Sequence, residues 1–515
     1  MPNGPDSAKR LECGGLPALS DVRGRKKAGA GSAHSKRFAR KNSGACLSRL
    51  LALLLALGLL GAASVLAAEK ALEKAPLIPP PPADFAQYLP AVGRLIQAAT
   101  NSDLGFQRLA VLCDTFGPRL SGSTNLEGAI DWMLGEMKRD GLDNVRGEEV
   151  WVPHWVRGRE SLELLAPIAR PINLLGLGGS VGTPPEGIVA ELLVVKDFAD
   201  LQARRDKVKG RIVLFNQPFT SYDRTIIVRM RGAVEAAKAG AVASLIRSVT
   251  PFSMRTVHTG AMRYEEGLPR VPHAAISVED AALLQRMQER GEPVVVRLKM
   301  EAVTLPDAKS RNVIAEVLGR EKPDELVLVS GHLDSWDVGQ GAMDDAGGCL
   351  AAWEAARLIR KLDLRPRRTV RVVCWVNEEN GFRGARAYQA DHRQELDKHL
   401  LAIESDEGVF RPLGFGFSGN DAAWARVRGM GSLLSGIQAG EITRGAGGGA
   451  ADLHFLQQAG VPIMELRVDG PKYFWFHHTE ADTVDKLSRD EFNLCVAALA
   501  AMSYVAADLP ERLPQ

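Results

Sequence analysis

Between Gly331 and Gly348 the sequence reads GHLDSWDVGQGAMDDAGG, which sets His332 beside four aspartates, Asp334, Asp337, Asp344 and Asp345. Carboxylates crowded this closely repel one another unless they are solvated, protonated or neutralised by a cation. Downstream, WVNEENG adds Glu378 and Glu379, LLAIESD adds Glu404 and Asp406, and YFWFHHTEADT adds His477 and His478. These residue types suit a hard or borderline dication. Zinc accepts imidazole nitrogen and carboxylate oxygen, and in catalytic sites it keeps one position open for water. Two ions about 3.5–4 Å apart need a shared carboxylate, and Asp344, a short acid in a Gly-rich loop, suits that bridge. Asp334, two residues beyond His332, is placed to orient the imidazole. Neighbouring side chains diverge, so in the Glu378–Glu379 pair one residue can bind metal while the other faces the bound water as general base. Glu379 is assigned to the metal and Glu378 to proton transfer. Any single pair of this kind is more often a solvated loop or a helix cap. Their shared position at successive strand ends points to a metal site.

That position follows from the elements around them. From Asn312 the chain alternates apolar runs and helical patterns: NVIAEVLG, ELVLVSG, then GGCLAAWEAARLIRKL, then TVRVVCWV, RGARAYQADHR and HLLAIESD. Apolar runs alternating with helices imply an α/β fold with a largely parallel sheet covered on both faces. Ligands bind such sheets beyond the carboxyl ends of the strands, which is where the acids fall.

At 515 residues the chain is too long for one compact core. Residues 69–150 open with a Pro-rich linker and helical patterns, and read as the start of the catalytic domain that resumes over 306–515. Residues 151–305 change texture to short strands such as GIVAELLVV and GRIVLF broken by Gly and Pro, the mark of an inserted, smaller domain.

Of 64 Lys/Arg and 62 Asp/Glu, residues 1–49 hold 11 and 3, leaving 53 and 59, a formal −6, for the remainder. The basic stretch precedes LLALLLALGLL and then small residues at Val65, Ala67 and Ala68. Residues 1–68 therefore read as a basic leader and signal peptide, its signal near 48–68. The expectation is an exported, periplasmic or extracellular protein without stable membrane association. A retained anchor is the alternative, although the apolar run is short of the roughly 20 residues a span needs. The only basic cluster lies in this leader, so no nucleic-acid partner is expected. Cys113, Cys349, Cys374 and Cys495 form no CxxC pair and read as buried thiols.

Two decoys are set aside. GGSVG (178–182) matches the nucleophile elbow, but that motif must open a helix, and Pro184 and Pro185 speak against one. His454 sits in an amphipathic stretch and reads as structural.

With these residues in view, the chain resembles the co-catalytic zinc exopeptidases, the group of bacterial leucyl aminopeptidases and the glutamate carboxypeptidases. The segments FGPRLSGSTNLEGAI, SGHLDSWDVGQGAMDDAGG, NEENG, ESD and YFWFHHTEADT carry the resemblance. Residue by residue it implies two zinc ions per chain held by His332, Asp344, Glu379, Asp406 and His478, with Asp344 bridging and Glu378 the general base. His478 is preferred to His477 because the family's ligand precedes an Asp-Thr pair by four residues, as His478 precedes Asp482. His477 is assigned a hydrogen bond to the developing oxyanion, a role weaker than the others. A cis peptide between Asp344 and Asp345, a β-rich protease-associated-like insert and a homodimer are also implied. The implied activity is hydrolysis of dipeptides or short peptides by a carboxypeptidase or dipeptidase. An aminopeptidase of the same group and an amidohydrolase acting on a non-peptide amide are the alternatives. A one-metal cyclising transferase and a metal-free receptor are disfavoured by the complete set of five ligand-type residues.

Overall fold

The computed structural model describes residues 81–514, so the expected leader and signal lie outside the described residues. Lys322–His332 carries Val327 and Val329 into one core and Leu328 into another. Both faces of this strand are thus buried, because successive side chains point to opposite faces. One face is covered by Gly347–Lys361 and Arg489–Asp508, the other by Arg383–Asp391 and His454–Gln458.

The sheet holds eight strands in the order Asp143–Val156, Val303–Val317, Arg368–Trp375, Lys322–His332, His399–Glu404, Ile463–Val468, Pro412–Ser418, Glu441–Arg444. Its four central strands, from Arg368–Trp375 to Ile463–Val468, run parallel. Strands added antiparallel on both sides make the sheet mixed. The α/β class and the helices on both faces agree with the sequence reading, and parallel pairing is concentrated in the centre. All four central strands end at one edge, where His332, Glu378–Glu379 and Asp406 follow directly and His477–His478 follow nine residues after Val468.

A second eight-stranded sheet is built wholly from residues 160–300. Its inner strand Ile212–Phe215 is buried on both faces, so helices must cover it, and Tyr222–Lys238 and Val278–Glu289 do so. This region is therefore more α/β in character than the β-rich insert that the resemblance implies. Among the described residues, no helix is long and apolar enough to cross a membrane. The four cysteines described are buried free thiols.

Burial leaves a titration signature. It pushes the imidazoles of His273 and His399 down to about 4, below the ordinary 6.5. The folded pKa is the depressed one, so the unfolded chain binds the extra proton between about pH 6.5 and pH 4. The stabilisation is therefore complete above pH 6.5 and is lost as pH falls toward 4. Each histidine contributes a slope of at most about 1.4 kcal/mol per pH unit. Urea midpoints at pH 7, 6 and 5 are expected to fall accordingly, and the double variant His273→Gln/His399→Gln to fall less steeply. Equal slopes in the two proteins would contradict this account.

Candidate metal centre

His332 closes its strand with both main-chain and ring groups engaged. Its amide donates to Asp345 Oδ2 at 3.1 Å, and its Nδ1 donates to the main-chain carbonyl of Asp334 at 2.8 Å. A carbonyl only accepts, so Nδ1 carries the proton and the Nε2 lone pair faces the site. Nε2 stands 3.1 Å from Asp344 Oδ1 and 3.1 Å from Asp406 Oδ1. Asp334 thus orients the imidazole through its carbonyl, because the strand has ended and the chain turns back. Its carboxylate, 3.9 Å from Nδ1, accepts instead from the amide of Glu378 at 3.1 Å.

The loop bearing Asp344 is held from three sides. The Asp344–Asp345 peptide is cis. Asp345 clamps the strand end to the next helix, since its second oxygen accepts from Gly348 N at 2.9 Å. Only glycine fits there: a Cβ at 348 would lie 1.9 Å from the Ser405 carbonyl. Asp482 accepts from the amides of Ala342 and Met343 at 3.0 and 2.9 Å, and from that of Asp344 at 3.3 Å. Arg119, fully buried, donates to the carbonyls of Leu333, Gln340 and Gly341 at 2.8, 2.6 and 2.9 Å and so closes the loop's base.

Asn377, in the left-handed region at φ 67°, turns the chain after Arg368–Trp375. The conformation is one that asparagine tolerates better than most residues. It sends the adjacent glutamates apart. Glu379 Oε2 lies 3.0 Å from His478 Nε2, and both glutamates line the cavity in front of the site. His478 Nε2 and His477 Nε2 are 3.3 and 3.6 Å from Asp344 Oδ2, and the two imidazoles stack at 3.5 Å between centroids.

Two ligand sets emerge, each with donor atoms within 4.8 Å of one another: His332 with Asp344 and Asp406, and Asp344 with His477 and His478. Asp344 belongs to both. In the second set the geometry brings His477, expected only at the oxyanion, to 3.6 Å from the shared carboxylate, only slightly farther than His478 at 3.3 Å. Burial alone would raise Asp344, but the imidazoles of His332 and His478 beside it outweigh burial and hold its carboxyl well below the usual range. Burial and then the neighbouring carboxylates push Glu378 and Glu379 well above theirs. Such a split marks more carboxylate than the imidazoles can neutralise. Asp344 Oδ2 and Glu379 Oε1 are buried without a hydrogen-bond partner, the condition a bound cation would relieve. The donors present fit zinc: imidazole nitrogen and carboxylate oxygen in overlapping sets.

The cavity before these residues measures about 490 Å³ and is walled on one side by the main sheet edge and on the other by Tyr222, Ile226, Arg229 and Met230 of the second sheet's helix. Arg229 is 5% exposed, and among the described residues no acid pairs with it. Its Nη2 donates to Tyr222 Oη at 2.9 Å. Neither residue stands out in sequence, since an Arg in an amphipathic helix signals only a solvated face. Arg119 and Asp482 were legible only as parts of longer matching segments, with no role attached. The decoys stay inert: Ser180 is buried and donates to the Val181 carbonyl, and His454 is exposed and pairs with Gln458.

The description "Peptidase family M28" matches residues 312–503. The chain is 47% identical to carboxypeptidase Q of Rattus norvegicus over 433 residues, covering 84% of this chain and 91% of that protein. It is 49% identical to carboxypeptidase Q of Homo sapiens over 410 residues, 80% of this chain and 86% of that one. Among solved structures, a peptidase M28 precursor from Shewanella amazonensis SB2B superposes with a TM-score of 0.80 at 36% identity, covering 83% of this chain and 98% of that chain. A zinc aminopeptidase from Bacillus subtilis superposes with a TM-score of 0.60 at 20% identity over 80% of this chain and 98% of that chain, a likeness of fold alone.

Proposed function

Because the chain belongs to peptidase family M28, we propose that its sheet-edge site is a two-zinc centre that removes terminal residues from dipeptides or short peptides with free ends. The chain is a zinc-dependent metallopeptidase of the carboxypeptidase and dipeptidase kind. The observation that carries the two-ion reading is the sharing of Asp344 between two ligand sets beside one enclosed cavity. In this reading His332, Asp344 and Asp406 hold one ion, and Asp344 and His478 of the second set hold the other together with Glu379, whose Oε2 lies 3.0 Å from His478 Nε2.

Zinc, when bound, supplies the Lewis acidity that makes water a nucleophile at neutral pH and polarises the scissile carbonyl. Glu378 takes the proton of the attacking water and returns it to the leaving amine. In this reading His477, which stacks on His478, hydrogen-bonds the developing oxyanion. Asp334 steadies the base by accepting from its amide. A cavity of about 490 Å³ accommodates a short peptide and excludes a folded chain. Residues 151–305, whose helix walls that cavity, act as an inserted domain that shapes the substrate space. The basic-flanked apolar run supports export through a cleaved signal.

The test uses chain from about residue 69 onward, offered dipeptides, amino-terminally blocked dipeptides and amino-acid anilides, with zinc counted per chain. Cleavage of free dipeptides, lost with a chelator and restored by zinc, is the expected result, with close to two ions bound. Cleavage of anilides in preference to dipeptides would move the enzyme to the aminopeptidases. A chain that binds no zinc would remove the whole reading.

A further inference from the structure

The segment from Thr250 to Thr259, which belongs to the second sheet's half of the chain, runs against the loop that carries the paired histidines. His258, 2% exposed, has its Nδ1 2.7 Å from the carbonyl of His477. A carbonyl cannot donate, so this nitrogen carries the proton. One residue on, the amide of Thr259 donates to the carbonyl of His478 at 3.0 Å, and the carbonyl of Thr259 lies 3.4 Å from His478 Nδ1, on the far side of the ring from the carboxylates. At the other end, Thr250 Oγ1 is 2.6 Å from the carbonyl of Phe474.

The segment is itself fixed. The His258 amide donates to Ser248 Oγ at 3.0 Å. Thr259 Oγ1 donates to the Gly176 carbonyl at 2.8 Å and accepts from Arg157 at 3.2 Å. Arg157 in turn pairs with Asp337 at 2.5 Å, back in the loop that follows His332.

What these bonds hold is unusual backbone. His478 sits at φ 61°, a left-handed conformation that a non-glycine residue keeps only where its surroundings impose it. In that conformation its Nε2 reaches Glu379 at 3.0 Å and Asp344 at 3.3 Å.

We infer that this strap is a built part of the metal centre, with His258 the positioning residue that holds the main chain of His477–His478 so that His478 presents its Nε2 to the second ion. The inserted segment therefore sets metal affinity as well as walling the cavity. Groups that orient a metal-binding imidazole from behind change affinity by roughly 10- to 100-fold when removed, and His258 acts on the same imidazole through the main chain. The inference rests on the proposal that His478 binds metal.

The experiment compares wild type, His258→Phe and His258→Asn by zinc titration with native mass spectrometry, and by the visible absorption of the cobalt(II)-substituted proteins. Phenylalanine keeps the ring's bulk and removes the donor, whereas the asparagine amide places an N–H close to the lost Nδ1. His258→Phe is expected to bind one ion as wild type does and the other at least about tenfold more weakly, with an altered cobalt spectrum, and His258→Asn to restore most of the loss. Wild-type affinity for both ions in His258→Phe would overturn the inference, as would a His258→Asn as impaired as the phenylalanine variant, which would mean a packing role only. If His258→Phe does not fold, Thr250→Val is read the same way: weakening of one ion supports the strap, and unchanged binding of both overturns it. A His478→Ala variant keeps the two readings apart. Two ions held as tightly as in wild type there would remove the ligand assignment itself, whereas an indifferent His258→Phe beside a metal-losing His478→Ala removes only the strap.

Discussion

Replacing Glu378 by glutamine is expected to lower kcat about a thousandfold, the middle of the range for a lost general acid–base, with zinc content and KM close to wild type. The side-chain amide is nearly isosteric with the carboxylate and leaves the turn at Asn377 and the hydrogen bond from the main-chain N–H of residue 378 to Asp334 undisturbed. It cannot accept a proton from water, so only the transferring step is removed. Both glutamates line the cavity, but Glu379 turns its carboxylate to His478 at 3.0 Å, which leaves Glu378 for the water. Single-turnover rates with a dipeptide, together with metal analysis on the same sample, decide the matter. A variant within tenfold of wild type would assign the proton transfer elsewhere. A variant that loses zinc would make Glu378 part of the ion's binding, and the roles of the two glutamates would then need exchanging.

That the two neighbouring glutamates point different ways is legible in the sequence, because adjacent side chains at a strand end diverge. The same is true of the central sheet. Strands such as TVRVVCW are apolar at nearly every position, and a run of that kind is stable only between two helical layers. Once those strands are parallel, their carboxyl ends share an edge, and the residues that follow them meet. The antiparallel flanks were less visible, since Val303–Val317 begins exposed and becomes buried only over its second half.

What could not be read is what acts through the main chain. Arg119 secures the Asp344 loop by donating to carbonyls, which every residue possesses, so its partners leave no mark in the sequence. The strap at Thr250–Thr259 binds carbonyls of residues more than two hundred positions away for the same reason. Asp334 illustrates the limit from the other side: its spacing from His332 suggested a carboxylate-to-imidazole bond, and the contact is made by the carbonyl of that residue. Sequence spacing ranks candidates for a contact, and the local turn decides which atom makes it.

Asp344→Asn is expected to have the broadest effect of any single change in the site. Its two oxygens face different ways, Oδ1 toward His332 at 3.1 Å and Oδ2 toward His478 at 3.3 Å. A carboxylate in this position would neutralise charge and offer a lone pair to each of the two proposed cations, whereas an amide is uncharged and would turn an N–H toward one of them. Its supports, the Asp482 cap and the Arg119 bonds, reach the main chain and survive the substitution. Bound zinc is therefore expected to fall from two ions toward none while the thermal midpoint of the metal-free protein stays within a few degrees of the metal-free wild type. Activity on a dipeptide falls by more than about a thousandfold, since both the activated water and the polarised carbonyl depend on the metal. Asp406→Asn and Glu379→Gln supply the contrast, because each touches one ligand set and should weaken one ion only. If Asp344→Asn retained one ion at wild-type affinity, the two sets would be independent, and a shared carboxylate would no longer describe this centre.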